Sequence, residues 1–265
     1  MNTRVGCVPY LNAVPLISEL PNSIEVVTDV PAKLPARLAS GDVSAILVSS
    51  IEALRRPDAV IARGASISSQ NEVLSVRLFS KVPFDQIATL ALDQSSMTSN
   101  MLVQILLAET YGVRPAAQAM PPDLAVMLKE HDAGLLIGDN GMRESGDGCH
   151  ILDLGEAWHT LTGLPFVWAV WLGNHRFPTD LASHLRESRE RGVARLPQIV
   201  PDAVRRFGFP EALTARYLSE IMDYDLGESH LAALHEFGKR AQSLGLVEAF
   251  QMPRVIGAEP AVTSL

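Results

Sequence analysis

The chain has 265 residues, of which 47% are hydrophobic and 20% are charged, and its formal net charge is −8. A chain of this length and composition buries a proper core, as one large domain or two smaller ones. The acidic balance, with no visible basic patch, argues against nucleic acid as a partner.

Other bulk features favour a cytoplasmic location. The N-terminal stretch has the pattern of neither a signal peptide nor a lipoprotein signal, and no run of about 18 apolar residues predicts a membrane helix. The two cysteines, Cys7 and Cys149, lie far apart in the sequence. We predict that both are reduced and packed as small apolar side chains.

Strand-like and helix-like segments alternate through the first two thirds of the chain. Short β-branched or apolar runs predict strands at residues 4–8, 24–28, 44–48, 73–81, 89–92 and 134–137. The segments between them predict helices at 13–20, 31–40, 50–55, 97–111 and 123–130. After residue 172 the pattern is helical only, with predicted helices at 180–196, 201–207, 211–222 and 229–244.

Alternation of buried strands with helices is typical of an α/β fold whose parallel sheets are covered on both faces. We predict two lobes, each a mostly parallel sheet flanked by helices. Residues 1–82 plus 173–265 form lobe I, with the helical C-terminal segment, and residues 83–172 form lobe II. Ligands of such folds bind in the cleft between the lobes, at the carboxyl ends of strands.

The predicted strand ends are rich in hydroxyl and amide side chains. Tyr10 and Asn12 follow the first strand, and Ser49 and Ser50 follow the third. The alternative role for Asn12 is to cap the predicted helix at 13–20. The segment 93–100 opens the strongest predicted helix. Free N–H groups and hydroxyls at a helix N-terminus bind carboxylates or phosphates. Ordinary capping explains one serine there, but not four hydroxyl residues in five successive positions.

Other residues carry weaker signals. Asp139 follows a buried strand and is a site carboxylate, a helix cap or a turn residue. For Trp158 and Trp171 we favour core packing over a place in the cleft wall. His230 and His235 are five apart on a predicted helix and point in different directions. Motifs of zinc proteases, CxxC redox sites, serine hydrolases and nucleotide loops are missing from the sequence, so we predict no metal and no cofactor.

Several motifs resemble, in the same order, those of the chorismate dehydratase family of the futalosine route to menaquinone. The matching runs are YLNAVPL at 10–16, VSSIE at 48–52, LSV at 74–76, SS and TS at 95–99, LIGD at 136–139 and TGLPFV at 162–167. They run from residue 4 to about residue 171, and the helical tail matches only loosely.

The resemblance implies a type II periplasmic-binding-protein-like fold and the removal of water from chorismate to give 3-[(1-carboxyvinyl)oxy]benzoate, without a cofactor. A sister family, the 1,4-dihydroxy-6-naphthoate synthases, shares the fold. Its opening is built around a serine-proline-cysteine-proline-asparagine-aspartate run, and it carries a histidine beside an acid where this chain has Gly138 and Asp139. Both departures favour the dehydratase.

The resemblance also implies roles for individual residues. Asn12 and Asp139 are the catalytic candidates, and the substrate-binding candidates are Tyr10, Ser49, Ser50, Ser75, Ser96, Thr98 and Ser99. The base stays open between Asp139 and the enolpyruvyl carboxylate of the substrate itself. A non-catalytic cytoplasmic anion-binding protein and a periplasmic transport receptor are the alternatives, and the oligomeric state is not predicted.

Overall fold

The computed structural model describes residues 3–29 and 33–257 and has an α/β fold built on two sheets. Its strands are β1 (Thr3–Cys7), β2 (Ile24–Thr28), β3 (Ala45–Ser49), β4 (Val60–Ser69), β5 (Arg77–Ser80), β6 (Thr89–Asp93), β7 (Ala116–Met120), β8 (Ala133–Leu136), β9 (His150–Asp153), β10 (Phe166–Gly173), β11 (Met222–Asp223) and β12 (Arg254–Ile256).

The helices are α1 (Val14–Ile17), α2 (Leu34–Ser40), α3 (Ser50–Leu54), α4 (Thr98–Thr110), α5 (Leu124–Glu130), α6 (Gly138–Arg143), α7 (Leu154–Thr162), α8 (Thr179–Ala194), α9 (Leu196–Phe207), α10 (Glu211–Arg216) and α11 (Glu228–Ser243). A 3₁₀ turn, Leu11–Ala13, precedes α1, and a π-helical turn, Tyr217–Ile221, follows α10. The predicted start of α2, at residue 31, lies outside the described residues.

The larger sheet has the strand order β11-β4-β10-β3-β1-β2, with β12 paired to β4. Its centre, β3, has the sequence AILVS, and Ala45, Ile46 and Leu47 are fully buried. A strand covered on both faces has such a continuous apolar run. We call this sheet and the helices packed on it lobe I.

The smaller sheet has the strand order β7-β6-β8-β5-β9. Its buried strand β8, Ala-Gly-Leu-Leu, runs parallel to β6 and antiparallel to β5. We call this sheet and its helices lobe II. The α/β class is thus confirmed, but the sheets are mixed and not mostly parallel. The strands that follow each crossing, β5 and β10, pair antiparallel with their neighbours.

The chain crosses between the lobes at other positions than those predicted. β5 lies in the smaller sheet and β10 in the larger one, so the crossings occupy residues 70–76 and 154–165. The predicted boundaries after residues 82 and 172 are corrected accordingly. The residue pattern of a strand does not specify the sheet in which it finds its partners.

The aromatic core lies beneath the larger sheet. Trp158 and Trp171 are fully buried, as predicted for core residues. The Trp158 indole donates to the carbonyl of Pro165 at 3.0 Å and packs edge-on against Phe166 and Phe237. These contacts join α7 and α11 to β10.

The C-terminal helices pack back onto lobe I, as predicted. α8 contacts α1 and β4, and α11 contacts β10. The α1–α8 approach is close because Gly192 lies directly over the main chain of Pro15, where any side chain would collide. The Ser188 hydroxyl donates to the carbonyl of Leu16 at 2.9 Å.

The two cysteines are not joined by a disulfide. Cys7 is buried in the core of lobe I, as predicted, and burial raises the pKa of its thiol to about 12. Cys149 is only partly buried, at the edge of the smaller sheet, which corrects the prediction for that residue. It lies in the turn-rich segment between α6 and β9.

Candidate active site

A cavity of about 80 Å³, partly open to solvent, lies between the two sheets. Aliphatic side chains from both lobes and the ring of Trp168 form its walls. Its polar lining consists of hydroxyl and amide groups, from Tyr10, Asn12, Ser49, Ser75, Ser95, Ser96 and Ser99.

Lobe I contributes Tyr10, Asn12 and Ser49. The 3₁₀ turn after β1 anchors Leu11 and Ala13 in the core and leaves Asn12 between them at the cavity. Asn12 does not cap α1, because its amide nitrogen donates to the Tyr217 hydroxyl at 3.4 Å and its Oδ1 has no partner among the described residues. The capping alternative for Asn12 is therefore not what this structure shows.

Lobe II contributes a serine cluster, which we define as Ser95, Ser96 and Ser99 at the start of α4. Asp93, at the end of β6, holds this segment in place. Its buried carboxylate accepts from the N–H of Ser95 at 2.9 Å and from the N–H of Ile137 at 3.2 Å. The Ser96 hydroxyl accepts from the N–H of Ser99 at 3.1 Å, so Ser96 both caps the helix and lines the cavity.

Ser50 and Thr98 do not line the cavity. Their hydroxyl oxygens lie 3.4 Å apart, and the Thr98 oxygen also accepts from the N–H of Ile51 at 3.2 Å. Both side chains are buried, and they connect the start of α3 in lobe I to the start of α4 in lobe II. Direct contact of these two residues with substrate stays a prediction that this geometry does not support.

Asp139 lies in the first turn of α6, beside the cavity but not in its lining. Burial raises the pKa of its carboxyl group above the ordinary value, while a backbone hydrogen bond from Leu11 and the charges of Arg143 and Arg206 oppose that rise. The carboxylate thus faces the 3₁₀ turn of lobe I. This is an interlobe contact, and Asp139 is not among the residues that line the cavity.

Tyr10 closes the cavity from lobe I. Its hydroxyl is hydrogen-bonded to Ser95 of the serine cluster, and burial is the main cause of its raised pKa. The aromatic ring lies against Gly138, whose φ of +58° and lack of a side chain allow this approach. The sister family carries a histidine beside an acid where this chain has Gly138 and Asp139. A side chain at position 138 would contact the Tyr10 ring.

Ser75 lies in the first crossing segment, in a strained turn. Leu74 has φ of +58°, and the N–H of Ser75 donates to the carbonyl of Val73 at 2.6 Å. Asp153 holds this turn: its carboxylate accepts from the N–H groups of Val73 and Leu74, and also from the start of α7 in the second crossing. One carboxylate therefore binds both crossing segments together.

Three residues of the site were not among the predicted ligands. Ser95 belongs to the hydroxyl-rich segment 93–100, so its signal was present in the sequence. Trp168 follows the TGLPFV motif, and its indole N–H donates to Ser69 at 3.1 Å. Tyr217 comes from the helical tail, and its hydroxyl donates to Ser75 at 2.8 Å. No local pattern marks Tyr217, because its neighbours are those of any core helix.

The cavity is electrically neutral in its lining. Over residues 3–29 and 33–257, none of the side chains that line it is charged. Within the same residues no group of three or more His, Cys, Asp or Glu side chains could hold a metal ion. The site therefore offers neutral hydrogen-bond donors, apolar walls and one helix N-terminus to a ligand.

This architecture defines the class of the protein. Two sheets with a cavity between them form the periplasmic-binding-protein-like fold, and the periplasmic aliphatic sulphonate binding protein SsuA from Escherichia coli shares it. The TM-score is 0.67 at 13% identity, over 99% of this chain and 96% of that chain. At this identity the likeness shows the fold alone.

Sequence comparison places the chain within that class. The chain belongs to the menaquinone biosynthesis family, whose model matches residues 3–243. The chorismate dehydratase of Thermus thermophilus is 33% identical over 263 residues, covering 91% of this chain and 95% of that protein. The chorismate dehydratase of Campylobacter jejuni is 25% identical over 239 residues, covering 89% and 92%. In the part of the chain that the structure describes, no helix is long and apolar enough to cross a membrane.

Proposed function

We propose that this protein removes water from chorismate to give 3-[(1-carboxyvinyl)oxy]benzoate, as a step of menaquinone biosynthesis. The observation that carries the proposal is the convergence of Asn12 and Ser49 from lobe I, Ser75 from the crossing, and the serine cluster from lobe II on one uncharged cavity. The family and its characterised relatives supply the reaction. We place the reaction in the cytoplasm, where the sequence predicted the protein to be.

Chorismate carries two carboxylates, and the cavity has two places for them. The serine cluster offers hydroxyls and the N-terminus of a 13-residue helix, which together suit one carboxylate. Ser49 and Ser75 line the opposite side and suit the other. Neutral donors are sufficient because hydrogen bonds to an ionised acceptor are stronger than those between neutral groups.

The residues of the cavity do not provide an obvious base. Asp139 accepts from Leu11 outside the lining, and the other lining groups are hydroxyls and amides. We therefore propose that the enolpyruvyl carboxylate of the substrate removes the ring C3 proton. Holding that carboxylate against C3 converts the proton transfer into an intramolecular step with a high effective molarity.

The elimination balances without any further reactant. The C3–H bond breaks and its electron pair forms the new ring double bond, while the C4–O bond breaks and the hydroxyl leaves. The proton taken by the carboxylate neutralises the departing hydroxide, so one water is formed and the carboxylate is regenerated. Asn12 lines the cavity, and we assign to its side chain a hydrogen bond with the C4 hydroxyl.

The apolar walls support this chemistry. Trp168, at 8% exposure, and the ring of Tyr10 are available to contact the two faces of the substrate ring. Apolar walls limit access of water to a bound substrate and strengthen the hydrogen bonds made to it. The protein's contribution is then orientation and desolvation.

The direct test is incubation of the purified protein with chorismate. We expect a new aromatic absorbance and a product lighter by one water, formed in proportion to enzyme. Binding of chorismate without any conversion would instead support the non-catalytic anion-binding alternative, which the fold shared with a sulphonate-binding protein makes reasonable. Heat-denatured protein is the control for spontaneous decay of chorismate.

A further inference from the structure

We infer that Tyr217 is a positioning residue whose buried hydroxyl fixes the direction in which Asn12 and Ser75 offer hydrogen bonds to the ligand. The inference deepens the proposed function and relies on it only for the identity of the substrate. It assigns a role in the site to the helical tail, the part of the chain with the weakest family motifs.

Tyr217 is enclosed by the protein. It is 1% exposed, in the π-helical turn that follows α10, and its ring belongs to the core of lobe I. Its hydroxyl donates to Ser75 at 2.8 Å and accepts from the Asn12 amide nitrogen at 3.4 Å. Burial raises the pKa of the phenol, so the proton stays on the oxygen at neutral pH.

The direction of this chain of hydrogen bonds determines what faces the cavity. A hydroxyl has a single proton, and Tyr217 gives its proton to Ser75. Ser75 lines the cavity, and the described residues offer its hydroxyl proton no other acceptor. The Ser75 proton is therefore available to an anionic ligand atom.

At its other end, at Asn12, this chain of hydrogen bonds leaves an acceptor free instead of a donor. Because the Asn12 nitrogen is turned to Tyr217, its Oδ1 is turned away, and that oxygen is buried without a partner among the described residues. A buried acceptor without a partner is costly unless a ligand or water satisfies it. The chain of hydrogen bonds thus leaves an unused donor at Ser75 and an unused acceptor at Asn12, a pair that suits a ligand with a carboxylate and a hydroxyl.

Without the phenol oxygen, nothing distinguishes the two orientations of the Asn12 amide. The amide then rotates so that its nitrogen and oxygen exchange places, and the Ser75 hydroxyl rotates as well. In a fraction of the molecules the ligand then meets a donor where it requires an acceptor, or an acceptor where it requires a donor. Tyr217 therefore acts through two other residues, without touching the ligand.

The test compares Tyr217→Phe with Tyr224→Phe. Tyr224 is also a buried tyrosine, at 4% exposure, but its hydroxyl has no partner among the described residues. Both variants lose one buried oxygen, and the Tyr224 variant loses no hydrogen bond. We expect kcat/KM for chorismate to fall about 10–100-fold in Tyr217→Phe, mostly in kcat, and to stay within about twofold in Tyr224→Phe.

A double-mutant cycle separates positioning from a general structural role. Because Tyr217 acts partly by orienting Asn12, Tyr217→Phe should lower kcat by a smaller factor in an Asn12→Ala background than in the wild type. Both single variants are to be compared at equal folded concentration, checked by their melting temperatures. Full additivity of the two losses, or unchanged kcat in Tyr217→Phe, would overturn the inference.

A binding experiment keeps this test independent of turnover. Benzoate offers a carboxylate only, whereas 3-hydroxybenzoate offers a carboxylate and a hydroxyl, and the affinity of each is measured by calorimetry. We expect Tyr217→Phe to reduce the preference for 3-hydroxybenzoate that the wild type shows, while Tyr224→Phe keeps it. If the wild type binds both probes and leaves chorismate unchanged, the proposed reaction fails while this comparison still tests Tyr217. An unaltered preference in Tyr217→Phe would contradict the inference alone.

Discussion

The backbone N–H of Leu11, in lobe I, donates to the carboxylate of Asp139, in lobe II. The two groups join the turn that carries Asn12 to the first turn of α6. A carboxylate so engaged is directed at the main chain of the opposite lobe. We therefore assign Asp139 to the closed arrangement of the lobes, and this gives the first prediction.

Asp139→Asn should keep kcat for chorismate within about tenfold of the wild type. The amide oxygen of asparagine still accepts from Leu11, and the proposed base belongs to the substrate. A protein general base contributes about 10²–10⁴-fold, so a loss in that range would assign the base to Asp139. Steady-state kinetics decide between the two, with Asp147→Asn in an exposed loop of lobe II as the control.

The same substitution should change how stability depends on pH. Because the folded pKa of Asp139 is raised, the folded state binds this proton more tightly than the unfolded state does. This group therefore favours folding at pH values below its unfolded pKa of about 3.9, and that contribution is lost as pH rises through the folded pKa. At neutral pH, Asp139→Asn should match or exceed the wild type in melting temperature. A clear drop relative to Asp147→Asn would contradict the burial of the ionised group.

Asn12→Ala should reduce turnover by two or more orders of magnitude while the free energy of unfolding changes by no more than about 1–2 kcal/mol. The side chain makes one long hydrogen bond and caps no helix, so the fold depends on it little. Chemical denaturation and kcat are to be measured on the same preparation, with exposed Asn140→Ala as the matched control. An unfolded variant whose folded fraction keeps full activity would remove Asn12 from the site.

Ser96→Ala should raise KM for chorismate about 10–100-fold with a smaller change in kcat. A hydroxyl that binds a carboxylate contributes about 1.5–3 kcal/mol, and it does so in the ground state as well as in the transition state. The loss of the cap on Ser99 adds a destabilisation of about 1 kcal/mol. Ser145→Ala, in an exposed loop, is the control, and an unchanged KM for Ser96→Ala would place the carboxylate elsewhere.

Arg143→Ala should raise KM several-fold and change kcat by less than about twofold. Arg143, on α6 of lobe II, donates to the carbonyl of Phe207 at the end of α9, and its guanidinium lies 4.1 Å from the ring centroid of Phe209. These contacts with lobe I favour the closed cavity and lie away from the ligand. Arg205→Ala is the control, since its ion pair with Asp202 is exposed and local. Equal KM values for the two variants would exclude this role.

Much of the fold could be predicted from local sequence. The apolar run of β3 and the glycine that ends α2 are local signals: β3 lies within one residue of its predicted bounds, and α2 ends at the predicted residue. The sheet membership of β5 and β10 was not predictable in this way, because it depends on partners that are distant in the chain, from 53 residues for Ser80 and Ala133 to 126 residues for Leu172 and Ile46. The strands form two sheets, and the chain passes between them at other positions than those predicted.

The site residues also divide into those that local sequence predicts and those that depend on tertiary packing. Tyr10, Asn12, Ser49 and Ser96 follow strand ends, and the geometry of sheets brings strand ends together, so their place in the cavity followed from position in the sequence. Ser50 and Thr98 have the same local signal, but their hydroxyls face each other behind the wall. Which of two neighbouring serines faces a ligand depends on the rotation of the element about its own axis, and that rotation is set by tertiary packing.

Asp153 accepts N–H groups from both segments that connect the lobes, and Ser75 lies at the end of the first of them. This places a pivot at one wall of the cavity. If the lobes swing apart about it, Ser75 moves least and the serine cluster moves most. The carboxylate bound by the serine cluster would then be released first, while the other carboxylate is still held at Ser75. Substrate would bind in the reverse order.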